Sequence, residues 1–158
     1  MTAIGISGHR ELPPHTERLV TAALRDVVAQ HADDELVGVS ALAEGADSLF
    51  AQAVLDAGGS LVAVVPARSY RAALPEAHRP VFDALLARAV RVIALDHGDT
   101  TDAAYMDGGL RVLDEVDVLV AVWDGQPARG LGGTAQVVHA AAERHLPVTV
   151  IWPAGATR

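Results

Sequence analysis

The sequence predicts an α/β fold: a doubly wound, mainly parallel sheet of five to six strands with helices on both of its faces. Two observations support this prediction. Short runs of apolar and β-branched residues alternate with segments of helical periodicity along the 158-residue chain. The runs are almost continuously apolar, which is typical of strands that are buried on both faces of a parallel sheet.

Six runs are predicted to be strands, at residues 3–7, 36–40, 60–65, 90–95, 116–123 and 148–152. Helical periodicity separates most of them, at residues 15–30, 47–56, 81–88, 102–115 and 134–144. The fourth of these helices is weakened by Gly108 and Gly109, because glycine lowers helix propensity. A long loop is expected over residues 66–80.

The length and composition indicate one domain and exclude several kinds of chemistry. A chain of this length corresponds to a single domain, residues 1–158. The chain has no cysteine, which excludes disulfides and thiolate chemistry. It also has no lysine, which excludes a pyridoxal phosphate Schiff base and a P-loop. The first residues do not resemble a signal peptide and no apolar run reaches the length of a membrane span, so a cytoplasmic location without a membrane partner is expected.

The charge of the chain bears on its partners. The net charge is −8 with neutral histidines, and the arginines are scattered among acidic residues. A protein that binds an extended polyanion through its backbone normally carries a basic patch. The charge therefore predicts no extended nucleic acid partner, and it is compatible with a small anion in a local pocket.

In a parallel sheet of this kind, ligands bind outside the carboxyl ends of the strands, so the residues that follow each strand are candidates for a site. Ser7, Gly8, His9 and Arg10 follow the first strand. Glycine lets the backbone approach a ligand, and an arginine offers a planar set of donors to a phosphate. The alternative is a plain turn with a solvated arginine.

The residues after the second strand contain two carboxylates. Gly45 lies at a predicted strand-to-helix junction, where free amides and the helix dipole attract an anion. Asp47 suits either a helix N-cap or a ligand contact. Glu44 is the better candidate for a contact with a ribose hydroxyl or for acid–base chemistry.

Two later segments complete the predicted site. Arg68 and Tyr70 lie in the predicted loop after the third strand, which is either a lid with Tyr70 stacked on a base or an ordinary exposed loop. Asp124 follows the fifth strand, and Gly132, Gly133 and Thr134 then open the last predicted helix. A glycine-rich turn before a helix is a suitable cradle for a phosphate.

The sequence predicts neither a metal nor a cofactor. The seven histidines show no recurring ligand spacing, and no Ser-His-Asp arrangement is suggested by their positions. No metal-binding residues are therefore assigned.

Two stretches carry a resemblance to a known family. The first runs from Val39 to Asp47 and continues through a helix to Gly58 and Gly59. The second is an Asp-Val-Leu-Val-Ala-Val-Trp-Asp-Gly run, residues 117–125, followed by Gly-Gly-Thr at 132–134. Together they resemble the SLOG superfamily, which includes the LOG phosphoribohydrolases, the DNA-processing protein A family and the YpsA-like proteins.

The resemblance implies a Rossmann-like sheet, a nucleotide-type ligand such as ADP-ribose or a nucleoside monophosphate, and a homodimer. The LOG enzymes and the similar deoxyribosyltransferases need a glutamate after the Gly-Thr pair, and this chain has Val137 there. We therefore expect a binding or sensing domain. The alternative is a nucleotide N-glycosidase that uses Glu44 or Asp47, and a single-stranded DNA-binding module is disfavoured by the acidic charge.

Overall fold

The computed structural model describes residues 2–32, 35–127 and 133–158, which form a six-stranded parallel sheet with helices on both faces. The strands are β1 (Thr2–Gly8), β2 (Leu36–Ser40), β3 (Ser60–Val65), β4 (Arg91–Ala94), β5 (Val118–Val122) and β6 (Val148–Ile151). The helices are α1 (Pro14–Gln30), α2 (Ala46–Asp56), α3 (Tyr70–Ala73), α4 (Arg79–Arg88), α5 (Asp102–Asp114) and α6 (Thr134–Glu143). The predicted fold class is confirmed.

The two faces of the sheet have separate cores, because alternate residues of each strand point to opposite sides. Helices α1, α2 and α4 cover one face, where Ile4 and Ile6 of β1 pack in one cluster with Leu24 and Phe50. Helices α5 and α6 cover the other face, where Val137 packs beside β5. No helix in the described ranges is long and apolar enough to cross a membrane.

The sheet reverses direction of growth beside β1. The strand order is β4-β3-β2-β1-β5-β6, so the chain moves outward from β1 to β4 and then returns to place β5 on the other side of β1. Gly8 at the end of β1 is in register with Val122 at the end of β5. A crevice opens at such a switch point, outside the carboxyl ends of the two strands.

Residues 66–80 were expected to form an open loop, and this expectation is wrong. They contain α3 and a 3-10 turn at Glu76–His78. The reason is apolar spacing: Tyr70 and Leu74 lie one helical turn apart, are both 2% exposed, and pack in the cluster that contains Phe82. Tyr70 is therefore held in the core and does not lie on a mobile lid.

Helix α5 continues through Gly108 and Gly109 because close packing requires them. A Cβ on Gly108 would lie 2.9 Å from Cγ of Pro66, and a Cβ on Gly109 would lie 2.7 Å from Cγ2 of Val137. The lower helix propensity of glycine, about 1 kcal/mol relative to alanine, is offset by this approach of α5 to the end of β3 and to α6.

We predict that Gly109→Ala destabilises the protein although alanine is the better helix former, because the new methyl group would overlap Val137. The double variant with Val137→Ala should recover part of that loss, with a coupling energy of roughly 0.5–3 kcal/mol. Urea unfolding of both single variants and the double variant measures the coupling. Additive losses would show that α5 and α6 do not meet at this point.

Candidate functional site

A cavity of about 590 Å³ lies at the switch point. It is lined by the end of β1, the loop between β2 and α2, and parts of α3, α5 and α6. Its volume lies within the range of roughly 300–1,000 Å³ that small-molecule sites occupy. The cavity is therefore the candidate site.

Gly45 allows two loops of this site to meet. Its φ is +82°, and a Cβ there would lie 2.2 Å from the carbonyl oxygen of Arg10. The backbone N–H of Ala46 donates to the carbonyl of His9 at 3.2 Å. The first N–H of α2 is therefore hydrogen-bonded within the protein. Gly45 allows the loop after β1 and the loop before α2 to approach each other.

This approach places Arg10 against Glu44. Nε of Arg10 donates to Oε1 of Glu44, and the guanidinium carbon lies 5.7 Å from the ring centroid of Tyr105. Burial disfavours the charge of Arg10, but the hydrogen bond and the attraction of Glu44 outweigh it and raise the pKa of Arg10. Arg10 is therefore a fixed cation that is already balanced by a carboxylate.

Glu44 keeps one oxygen without a partner. Oε2 is buried and receives no hydrogen bond from any described residue. Buried carboxylate oxygens are nearly always hydrogen-bonded, so an exception in a cavity wall points to a donor supplied from outside the protein.

Asp47 lies beside this pair. Burial raises the pKa of Asp47 to about 7, although the N–H of Ala43 and the charge of Arg10 act in the opposite direction. The N–H of Ala43 is 3.4 Å from Oδ2 of Asp47. A carboxyl group with this pKa can accept or donate a proton near neutrality.

The loop that carries Glu44 has a strained conformation. Leu42 is fully buried with φ of +60°, a region that side chains other than glycine rarely adopt. His78 Nε2 lies 2.9 Å from the carbonyl of Leu42, and Oγ of Ser48 donates to the carbonyl of Ala43 at 2.5 Å. Sequence reasoning did not assign a role to His78, because 36 residues separate it from its partner.

His9 and Asp124 join the end of β1 to the end of β5, and His9 lines the cavity. The backbone N–H of Asp124 donates to Nε2 of His9 at 3.1 Å, and the His9 ring meets Trp152 edge-on at 5.5 Å. Burial opposes ionisation of Asp124, but the N–H of Gln126 and the interaction with His9 outweigh it and lower the pKa of Asp124. The pair positions the two strand ends.

The start of α6 forms another wall. Thr134 is 8% exposed, and Gly133 precedes it with an ordinary φ of −70°. The N–H of Gln136 donates to the carbonyl of Gly133 at 3.1 Å, so the amides before it belong to the open end of the helix. Such an end attracts anions. Gly132 lies outside the described residues.

The structure brings together most of the predicted site residues. Those that line the cavity are Ser7, Gly8, His9, Arg10, Glu44, Asp47, Gly133 and Thr134. Gly45 and Asp124 lie behind the wall, and Arg68 is 70% exposed and pairs with Asp96 at 2.9 Å. Among the residues that the structure describes, no group of three or more His, Asp and Glu is arranged to hold a metal ion.

Sequence reasoning missed several lining residues, among them Tyr105, Trp123 and Arg158. Tyr105 lies within a helix, away from the strand ends. Trp123 is the last residue of the predicted fifth strand, and this position could have identified it as a candidate site residue. Arg158 reaches the site only because the segment after β6 folds back onto α1, which no local pattern indicates.

No family model and no curated protein matches the sequence. Solved structures do match its fold. DNA processing protein A from Streptococcus pneumoniae has a TM-score of 0.72 at 17% identity, over 98% of this chain and 52% of that chain. DNA processing protein A from Helicobacter pylori has a TM-score of 0.71 at 16% identity, over 99% and 68%. The molybdenum cofactor binding protein from Rippkaea orientalis has a TM-score of 0.56 at 18% identity, over 94% and 75%.

These matches show that the chain has the fold of DNA processing protein A, which was one of the proteins that the chain was expected to resemble. The chain spans about half the length of the Streptococcus pneumoniae protein, 52% of it.

The exclusion of extended nucleic acid is corrected by the same comparison. The Helicobacter pylori protein is described with a single-stranded DNA binding mode, and it shares this fold. Net charge sums over the whole chain, whereas binding depends on the local surface. A charge of −8 was therefore an insufficient reason to exclude such a partner.

We predict that Asp47→Asn changes how stability depends on pH. The folded-state pKa of Asp47 is about 7 against an ordinary value of 3.8, so the native state keeps a proton that the unfolded chain releases. Wild-type stability should therefore fall as the pH rises between these two values. The asparagine variant should lack this fall and unfold a few degrees higher than wild type at about pH 8.

Thermal unfolding at about pH 5 and 8 measures this difference, with Asp83→Asn as the control. The pKa of Asp83 is lowered by its hydrogen bond to Arg71, so that variant should lose stability where Asp83 is ionised. Parallel profiles for wild type and Asp47→Asn would show that Asp47 titrates normally.

Proposed function

We propose that this chain is a binding or sensing domain whose cavity takes a nucleotide-derived ligand, such as ADP-ribose or a nucleoside monophosphate. The observation that carries the proposal is the unpartnered, buried Oε2 of Glu44 in the wall of a cavity at the switch point. A ribose has hydroxyl donors for such an oxygen, and acidic residues at this edge of related folds accept them.

The rest of the cavity suits the other parts of a nucleotide. Tyr105 and Trp123 are aromatic lining residues, which offer flat surfaces to a base. The open end of α6 at Thr134 offers amides and a favourable dipole to a phosphate. The cavity therefore combines a carboxylate oxygen that lacks a hydrogen-bond donor, an aromatic surface, and a helix end that attracts anions.

A second candidate is hydrolysis of a nucleotide N-glycosidic bond, and one observation favours it. Glu44 and Asp47 line the same cavity, and the raised pKa of Asp47 suits proton transfer near neutrality. The position that carries the glutamate in LOG-like motifs is Val137 here, which is 2% exposed and packs against Gly109. Any such activity would depend on Glu44 or Asp47.

We predict that AMP or ADP-ribose raises the unfolding temperature of the wild-type protein. Ligand at one hundred times its dissociation constant contributes about 2.7 kcal/mol to stability. Glu44→Gln should weaken binding roughly ten-fold, because a charge-assisted hydrogen bond to the ligand becomes a neutral one. The control is Glu143→Gln, since Glu143 is exposed on α6 and pairs with His139.

Calorimetric titration measures these affinities, and chromatography of the same mixtures detects free base. A nucleotide panel that neither binds nor stabilises the wild type would contradict the proposal. Release of base at about one turnover per second, abolished in Asp47→Asn or Glu44→Gln, would establish the second candidate instead.

A further inference from the structure

We infer that Arg158 is the cation of this cavity that binds the anionic group of the ligand, a phosphate in the nucleotide case. The inference rests on the proposed function and assigns one of its contacts. It follows from which charges in the cavity are already paired, and from how the chain holds Arg158 in place.

Two arginines, Arg10 and Arg158, are among the described residues that line the cavity. Arg10 is hydrogen-bonded to Glu44 and packed on Tyr105, so its charge is balanced within the protein. Two further carboxyl groups also line the cavity. An anion that entered a cavity with these groups alone would meet carboxylates without a surplus of positive charge.

Arg158 is paired more loosely than Arg10. Its guanidinium forms an ion pair with Oδ2 of Asp124 at 3.9 Å, which is too long for a hydrogen bond. The other oxygen of Asp124, Oδ1, interacts with His9 and accepts the N–H of Gln126 at 3.0 Å, so part of the charge of Asp124 is already engaged away from Arg158. The donors of Arg158, which is 33% exposed, therefore remain available to a ligand.

The segment after β6 is fastened so that Arg158 reaches the cavity. Thr16 at the start of α1 is fully buried, and its hydroxyl donates to the carbonyl of Thr157 at 2.6 Å. The N–H of Thr157 donates back to the same hydroxyl at 2.8 Å, and the Thr157 hydroxyl lies 3.1 Å from Nε2 of His15. This reciprocal pair, which is buried only on the Thr16 side, fixes the backbone directly before Arg158.

Thr16 is thus a positioning residue, and Arg158 is a binding residue. A polar side chain fully buried in the first turn of a helix would be unfavourable unless it were hydrogen-bonded, and its partner is the residue next to Arg158. The approach of the tail to the cavity is therefore specified by the structure of α1.

Calorimetric titration of the full chain with adenosine, AMP and inorganic pyrophosphate tests the inference. In Arg158→Gln the affinities for AMP and pyrophosphate should fall roughly ten-fold, as expected for loss of a charge-assisted hydrogen bond, whereas the affinity for adenosine should not change. Arg158→Lys should lose less. The matched control is Arg144→Gln, since Arg144 follows α6 and pairs with Asp114 at 2.6 Å.

Thr16→Val provides an independent test. It should lower the ratio of AMP to adenosine affinity towards the ratio of Arg158→Gln, and Thr16→Ser should restore it, because serine keeps the hydroxyl that holds Thr157. A merely structural role would change stability without changing this ratio.

The outcomes separate the inference from the proposed function. AMP binding that is the same in wild type and Arg158→Gln would overturn the inference alone, as would an equal loss for adenosine and AMP. Pyrophosphate binding that depends on Arg158, without any nucleotide binding, would support the inference and overturn the proposed function. A wild type that binds neither AMP nor pyrophosphate would overturn both.

Discussion

The approach of the loop after β1 to the start of α2 is the constraint on which the site depends. A Cβ at Gly45 would lie 2.2 Å from the Arg10 carbonyl oxygen, so any other residue would force the two loops apart. The same contact closes the first turn of α2 through the His9 carbonyl. Because the loops meet, Arg10 and Glu44 pair across them, and the unpartnered oxygen of Glu44 is held at the switch point.

The charges of the cavity follow from this contact. Glu44 balances Arg10, and burial leaves Asp47 able to carry a proton near neutrality. The positive charge that an anionic ligand needs then comes from elsewhere in the chain, through the tail that Thr16 fastens and through the open end of α6. The sheet places β1 between β2 and β5, so segments that follow these three strands meet at the site although they are far apart in the sequence.

The sequence predicted the sheet well, since continuous apolar runs mark buried parallel strands: β2 and β3 were predicted to the residue. It also predicted most of the lining residues that directly follow a strand, such as Arg10 and Glu44. Position alone determines these, because the carboxyl ends of all parallel strands lie at one edge of the sheet.

The remaining features depend on tertiary contacts that leave no local pattern. Arg68 also follows a strand, yet it pairs with Asp96 at the surface. Gly45 was expected to expose amides to an anion, whereas the structure uses it for backbone approach. Tyr105 and Arg158 reach the cavity from a helix and from a folded-back tail, and neither position follows from periodicity or motif spacing.

The central claim is that a ligand binds in the crevice between β1 and β5. Amide chemical shifts of the isotopically labelled protein, recorded during titration with AMP or ADP-ribose, test it most directly. The predicted result is a set of saturable shifts that includes the amides of Gly8, Glu44, Tyr105 and Thr134 and leaves the exposed β4 edge at Val92 unchanged. Shifts centred on that edge, or none at saturating ligand, would contradict the account.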